Sequence, residues 1–222
     1  MTQAKRTNLP ANKRAKAKRG QGRPVVGEND VGQDRLVAAA EKLLREMPPA
    51  RVTIALIARE ASVDPALVRY YFGNRTALLL AVADRTTNHS ASHAGQPDAV
   101  PEVGLADHIR KTLKLTRSAP FMHRLFEELA DSDDDTARGR VRTMNLDLVA
   151  YYRRMLKSDA GAAMATVNPL FLHLMVLGAS DFFASAEPMI RELVPSNTNM
   201  DKLAAGYQEF LVKMVMDGLR KS

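Results

Sequence analysis

Apolar residues recur at helical spacing along almost the whole chain. Between Gln33 and Met47, the positions Leu36, Val37, Ala40, Leu43, Leu44 and Met47 fall three or four apart, which predicts an amphipathic helix stopped by Pro48-Pro49. A second helix is predicted after Thr53, a residue type that caps helix starts, with Ile54, Ile57, Ala58 and Ala61 on one face. Glu60-Ala61-Ser62-Val63 then turns the chain. Asp64 is a good N-cap, and Pro65 occupies the first helical position, where proline is best tolerated. The short helix that follows turns Leu67, Val68 and Tyr71 inward and leaves Pro65, Ala66, Arg69 and Tyr70 toward solvent. Phe72 closes this unit. Gly73-Asn74 ends one helix and caps the next, which starts at Arg75 and runs to about Ser90.

Gly95 to Gly104, with two prolines, reads as a loop. Five further helical patterns follow: Leu105 to Arg117, Pro120 to Ala130, a long helix ending near Lys157, Leu170 to Ala184, and Asp201 to Leu219. The long helix offers Val141, Met144, Leu148, Tyr151, Tyr152 and Met155 for burial. Asn168-Pro169 caps the next, which is apolar nearly all round and therefore has to be covered. The last helix carries a stripe of Leu203, Tyr207, Phe210, Leu211, Met214, Val215 and Gly218. The fold class is all-α. Residues 1–30 form a polar arm expected to be disordered, 31–87 a three-helix helix-turn-helix domain, and 88–222 a second helical domain.

A helix-turn-helix of this shape suits the major groove of DNA, where the N-terminal residues of a short helix reach base edges. An ordinary helical hairpin in a core has the same spacing. The residues Ile57-Ala58, Ala61-Ser62-Val63-Asp64, Tyr71-Phe72, Arg75 and Leu78-Leu79 together resemble the signature of TetR-family transcription regulators, over about residues 33–87. Three positions depart from it. Ser62 stands where the family usually has glycine, Arg75 replaces the usual lysine, and Arg69 stands where tyrosine is common.

For DNA contacts the reading nominates Arg51, Thr53, Asp64, Pro65, Ala66, Arg69, Tyr70, Asn74 and Arg75. Small residues at Pro65 and Ala66 permit close approach. Arg69 can donate to a guanine edge or a phosphate, Tyr70 to a phosphate, and Arg75 keeps a charge for a phosphate. The resemblance further implies a ligand-responsive repressor of a palindromic double-stranded operator, dimeric through the last two helices. It also implies a pocket for a small apolar effector, for which Phe126, Met144, Tyr151, Tyr152, Met155 and His173 are candidates, with His108 and His123 as further polar companions. Core packing is the plainer role for aromatic and methionine residues at helical spacing.

Charge sharpens this picture. The 222-residue chain carries +7, unevenly spread. Residues 1–27 hold eight Lys/Arg and no acid, and residues 28–87 hold eight of each sign. Long-range attraction to a polyanion is therefore expected mainly from the arm. Its Gly22-Arg23-Pro24, flanked by basic residues, is similar to an AT-hook core with Gln21 in place of a second arginine, which makes Arg23 a candidate for the minor groove. The alternative is a solvated leader without specific contacts.

Other classes are poorly served. There is no cysteine, and there is no glycine-rich phosphate loop, nucleophile elbow or cofactor motif, so an enzyme is not expected. His89 and His93 lack a third metal ligand. The acidic run at Asp131 fails as a calcium loop because Thr136 stands where glycine is needed. The longest apolar run is too short for a bilayer, and a cytoplasmic protein without membrane partners is expected. The rival reading within the DNA-binding class is an architectural or occlusion protein without an effector.

Overall fold

The computed structural model describes residues 28–91, 101–157 and 167–220, with side chains for 32–87, 104–156 and 167–220. The basic arm with Arg23, and the side chains of His89 and His93, lie outside the described residues. All described secondary structure is helical apart from turns and one isolated bridge residue. The helices are α1 (Glu28–Glu46), α2 (Ile54–Glu60), α3 (Pro65–Phe72), α4 (Arg75–Ala91), α5 (Pro101–Ser118), α6 (Met122–Ala130), α7 (Asp135–Lys157), α8 (Pro169–Ser185), α9 (Glu187–Leu193) and α10 (Met200–Leu219).

Caps fix the head as expected. Thr53 accepts a hydrogen bond from Leu56 N, Asp64 from Ala66 N at 2.7 Å, and Asn74 from Ala77 N at 2.7 Å. The turn between α2 and α3 is a Schellman motif. Val63 N donates to Ala58 O at 2.9 Å and Ser62 N to Arg59 O at 3.1 Å, with Ser62 in the left-handed region at φ 55°. Gly73, at φ 77°, plays the same terminating part for α3.

Several boundaries differ from the sequence reading. Helix α1 begins at Glu28, inside the segment read as arm, because an apolar repeat marks only the packed part of a helix. Residues 101–104, read as loop, are the first turn of α5, with Pro101 at its favourable first position. The short α9 was not predicted, since seven residues starting Glu187-Pro188 are too few to show a period. Leu148, expected to be buried, is exposed on α7.

Two main cores hold the chain. The first gathers Leu36, Leu43, Val52, Ile57, Val68, Leu78 and Leu79 of the head, and it continues without a break into Leu125 and Leu129 of α6 and Val141 of α7. The second joins Leu105 and Ile109 of α5 with Tyr152, Leu172, Val176, Leu211 and Val215. Each fully buried leucine is worth about 1.5–3 kcal/mol. Among the described residues no single helix is long and apolar enough to cross a membrane; α8 and α9 together reach the length but bend by 73°.

The left-handed Ser62 stores strain that glycine would not. A Ser62→Gly variant is expected to be more stable by about 0.5–1 kcal/mol, after allowing for the greater freedom of unfolded glycine. Urea unfolding midpoints of the two proteins check this; an unchanged or lower midpoint would remove the strain argument.

Candidate nucleic-acid interface

Helix α3 has only two turns and cannot persist alone. Val68 on its inner side is fully buried, and Leu67, Tyr71 and Phe72 pack half-buried against the head core. The Tyr71 ring lies over Gly32 of α1, so close that a Cβ there would sit 2.8 Å from its hydroxyl. The opposite side carries Pro65, Ala66, Arg69 and Tyr70, all exposed, with Tyr70 at 65%. The Tyr70 ring meets Tyr71 edge-on at 5.0 Å between centroids, which braces it. Arg51, Thr53 and Asn74 are exposed around this helix, at the start of α2 and of α4. The side-chain oxygens of Thr53, Asp64 and Asn74 are occupied as caps at the starts of α2, α3 and α4.

The electrostatics are less neutral than the formal count. Glu41 lies between Arg45 and Arg85, at 2.7 and 2.5 Å; burial works to raise its pKa, but the two guanidiniums outweigh it and hold the carboxyl below the usual range. Glu60 pairs with Lys42 at 2.6 Å, and Asp84 with Arg140 of α7 at 2.8 Å. Among the described residues Arg51, Arg59 and Arg69 are exposed and form no ion pair. Among the described residues of the head, Glu41, Glu60 and Asp84 are thus paired while three guanidiniums face outward. Arg59 was not among the sequence-derived candidates. Its position at the outer end of α2, off the apolar stripe, was the available signal.

Arg75, expected to keep a charge for a phosphate, is engaged within the fold. Its guanidinium does not face outward: Nε donates to Val52 O at 2.6 Å, Nη2 to Pro49 O, and Nη1 to Glu128 of α6 at 2.7 Å. Three of its five N–H donors are thereby spent on two backbone carbonyls at the entry to α2 and on a carboxylate of α6.

The effector candidates divide. Tyr151, Tyr152 and His173 converge with His108 in the body, with ring centroids 4.9 Å apart for His108–Tyr151, 5.1 Å for His108–Tyr152 and 5.8 Å for Tyr152–His173. Met155 packs beside them, and Tyr151 Oη donates to Gly104 O at 3.1 Å. Phe126 instead belongs to the head core, Met144 to neither core, and His123 is exposed beside Glu127 on α6. Burial, then the nearby His173 and Lys111, depress the His108 pKa to about 4, and burial lowers His173 as well. Tyr152 is pushed up by burial. His108, Tyr151 and Tyr152 contact one another, and His173 joins them through Tyr152. Two turns beyond His173, the enclosed Ser180 Oγ has no hydrogen-bond partner among the described residues.

Two family models match the chain: "Bacterial regulatory proteins, tetR family" over residues 36–82, and "Tetracyclin repressor-like, C-terminal domain" over residues 98–221. The HTH-type transcriptional regulator BetI of Brucella anthropi is 36% identical over 73 residues, 33% of this chain and 36% of that protein. The match thus spans about a third of the length of such relatives. Among solved structures, a tetR-family regulatory protein from Rhodococcus RHA1 aligns with a TM-score of 0.66 at 15% identity, covering 86% of this chain and 98% of its own. AibR, in complex with isovaleryl coenzyme A and operator DNA, aligns with a TM-score of 0.63 at 13% identity, covering 81% and 97%. At these identities the structures show a shared fold.

The buried imidazole makes the body acid-sensitive. Unfolded His108 takes its proton near its ordinary 6.5, whereas the folded one holds out to about 4. This contribution to stability is complete above pH 6.5 and drains away as pH falls toward 4, by on the order of 3 kcal/mol at full extent. His173 acts in the same direction. Urea midpoints at pH 7 and pH 4.5 should differ more for the natural chain than for a His108→Phe variant; equal slopes would contradict the burial argument.

Proposed function

The chain belongs to the TetR family of DNA-binding transcription regulators, and from that premise we propose that it is a homodimeric, ligand-responsive repressor of a near-palindromic operator. One observation carries this reading: on a head of formal neutrality, Arg51, Arg59 and Arg69 are exposed without ion pairs, the last on the bare outer side of the two-turn α3. Helix α3 enters the major groove, with Pro65 and Ala66 allowing close approach, Arg69 reading a base edge or a phosphate, and Tyr70 donating to a phosphate. Arg51 and the capped start of α2 face the backbone, where free amides favour a phosphate. Arg23 and the arm add attraction that salt screens.

Dimerisation is supported by α8 and α10. Phe171, Phe182, Phe210 and Met214 are 63%, 60%, 58% and 57% exposed, an apolar face that a second copy would cover. A two-fold arrangement then sets two α3 helices ~34 Å apart, the spacing of successive major grooves. The effector site lies by this reading at the Tyr151, Tyr152, Met155 and His173 cluster, and entry of an apolar ligand shifts the balance toward a head spacing that no longer fits DNA. The ring-to-ring packing of His108, Tyr151 and Tyr152 favours a second reading, occlusion of DNA without an effector. Release of DNA by an apolar compound separates the two. A cytoplasmic location follows from the proposed role.

Sequences selected from random duplex DNA supply the operator. Arg69→Ala and Tyr70→Ala are each expected to weaken its binding about ten- to hundredfold, the worth of a good base or phosphate contact; undiminished affinity in both would remove the groove assignment. Phe182→Asp should convert the dimer to a monomer in sedimentation equilibrium. A chain that sediments as one copy before any substitution would end the dimer proposal.

A further inference from the structure

We infer that Arg75 is a positioning residue for operator binding. It locks the start of α2 to α6 of the body, and it is not a phosphate ligand. The inference rests on the DNA-binding reading above. Arg75 is the first residue of α4, yet its side chain reaches two other places. Two of its nitrogens hold Val52 O and Pro49 O, the carbonyls of the turn that delivers the chain into α2. The third holds Glu128 Oε1 at 2.7 Å, with both side chains about three-quarters covered.

The geometry of arginine explains the choice of residue. A guanidinium offers donors in a fixed planar fork and can satisfy carbonyls and a carboxylate together, whereas an ammonium presents one point of charge. Three elements are thereby pinned at one group: the Pro49–Arg51 turn, α4 and α6. Val52 is fully buried beneath them. One residue later Thr53 caps α2 and is exposed at the place where a phosphate is proposed to sit. A shift of α6 pulls on Glu128, and through Arg75 it moves the α2 start with few soft torsions between. Glu128 stands 53 residues from Arg75 in the chain, on the body side.

The discriminating variants are Glu128→Ala, Arg75→Gln and the double change, each in the full-length dimer with the selected operator duplex. Glu128→Ala is expected to weaken operator binding about five- to tenfold, the net worth of one ordinary hydrogen bond. The slope of log affinity against log salt should stay as in the natural chain, for no phosphate contact is lost. Arg75→Gln should likewise leave the slope unchanged, and the double variant should bind no worse than Arg75→Gln alone. Amide exchange without DNA should quicken at residues 52–57 in Glu128→Ala, while amides of α10 keep their protection. The milder Glu128→Gln carries the same tests if the alanine variant does not fold. Three results would overturn the inference: Glu128→Ala binding as tightly as or more tightly than the natural chain, a salt slope lower by about one in Arg75→Gln, or unchanged exchange at 52–57. Should the natural chain select no duplex, the DNA-binding reading fails, and the exchange measurement still decides whether the lock exists.

Discussion

A helix of two turns has to be held from behind while its outer side stays bare. That constraint governs the head. Helix α3 buries one residue completely, Val68, and its own hydrogen bonds cannot offset the entropy of forming it. Its ends are therefore fixed chemically, by Asp64 and Pro65 at the start and Gly73 at the finish. Its back is fixed by Tyr71 lying on Gly32 and by the core beneath. Of the outer residues, Ala66 and Arg69 are left exposed with no packing duty. The Schellman turn at Ser62 sets the angle between α2 and α3 at the expense of a strained backbone.

Charge is arranged on the same principle. The head's formal neutrality conceals a separation between inside and outside. Glu41 and Glu60 neutralise cations that tie α1 to its neighbours, and Asp84 takes a guanidinium from α7. The arginines left over are those pointing away from the fold. At close range a DNA backbone would meet those outward cations, whatever the net sum. The family's C-terminal model matches the body, in which a different balance holds: buried imidazoles and phenols stay uncharged, and large apolar side chains remain uncovered on α8 and α10.

The parts legible in the sequence were those decided locally. Caps at Thr53, Asp64, Asn74 and Asn168, the proline at Pro65 and the glycine at Gly73 each act within three or four residues, and all stand where their chemistry placed them. Apolar spacing gave the plan of the described helices except α9, whose seven residues are too few to establish a period. The failures lie where distance in sequence hides nearness in space. Nothing near Arg75 signals Glu128, so its charge read as available. Phe126 has the same spacing as a body core residue, and only folding shows that it joins the head. Leu148 sits on a helix long enough to leave the body's core partway along, and there an apolar residue meets water. Arg59 was passed over because an exposed arginine on a helix is ordinary until its neighbours prove to be paired.

The first core also bears on how such a protein can be cut and recombined. Helix α6 supplies Leu125 and Leu129 to the same buried cluster as Ile57, Val68 and Leu79, across the line where chain order would divide two domains. A fragment severed after α4 would bare the seats of those leucines to water, at about 1.5–3 kcal/mol for each. Exchange of heads between related proteins would meet the same obstacle. The piece that transplants whole is the three-helix unit together with α4 and the later helix lodged in its flank, and a graft that respects only the linear order inherits a hole.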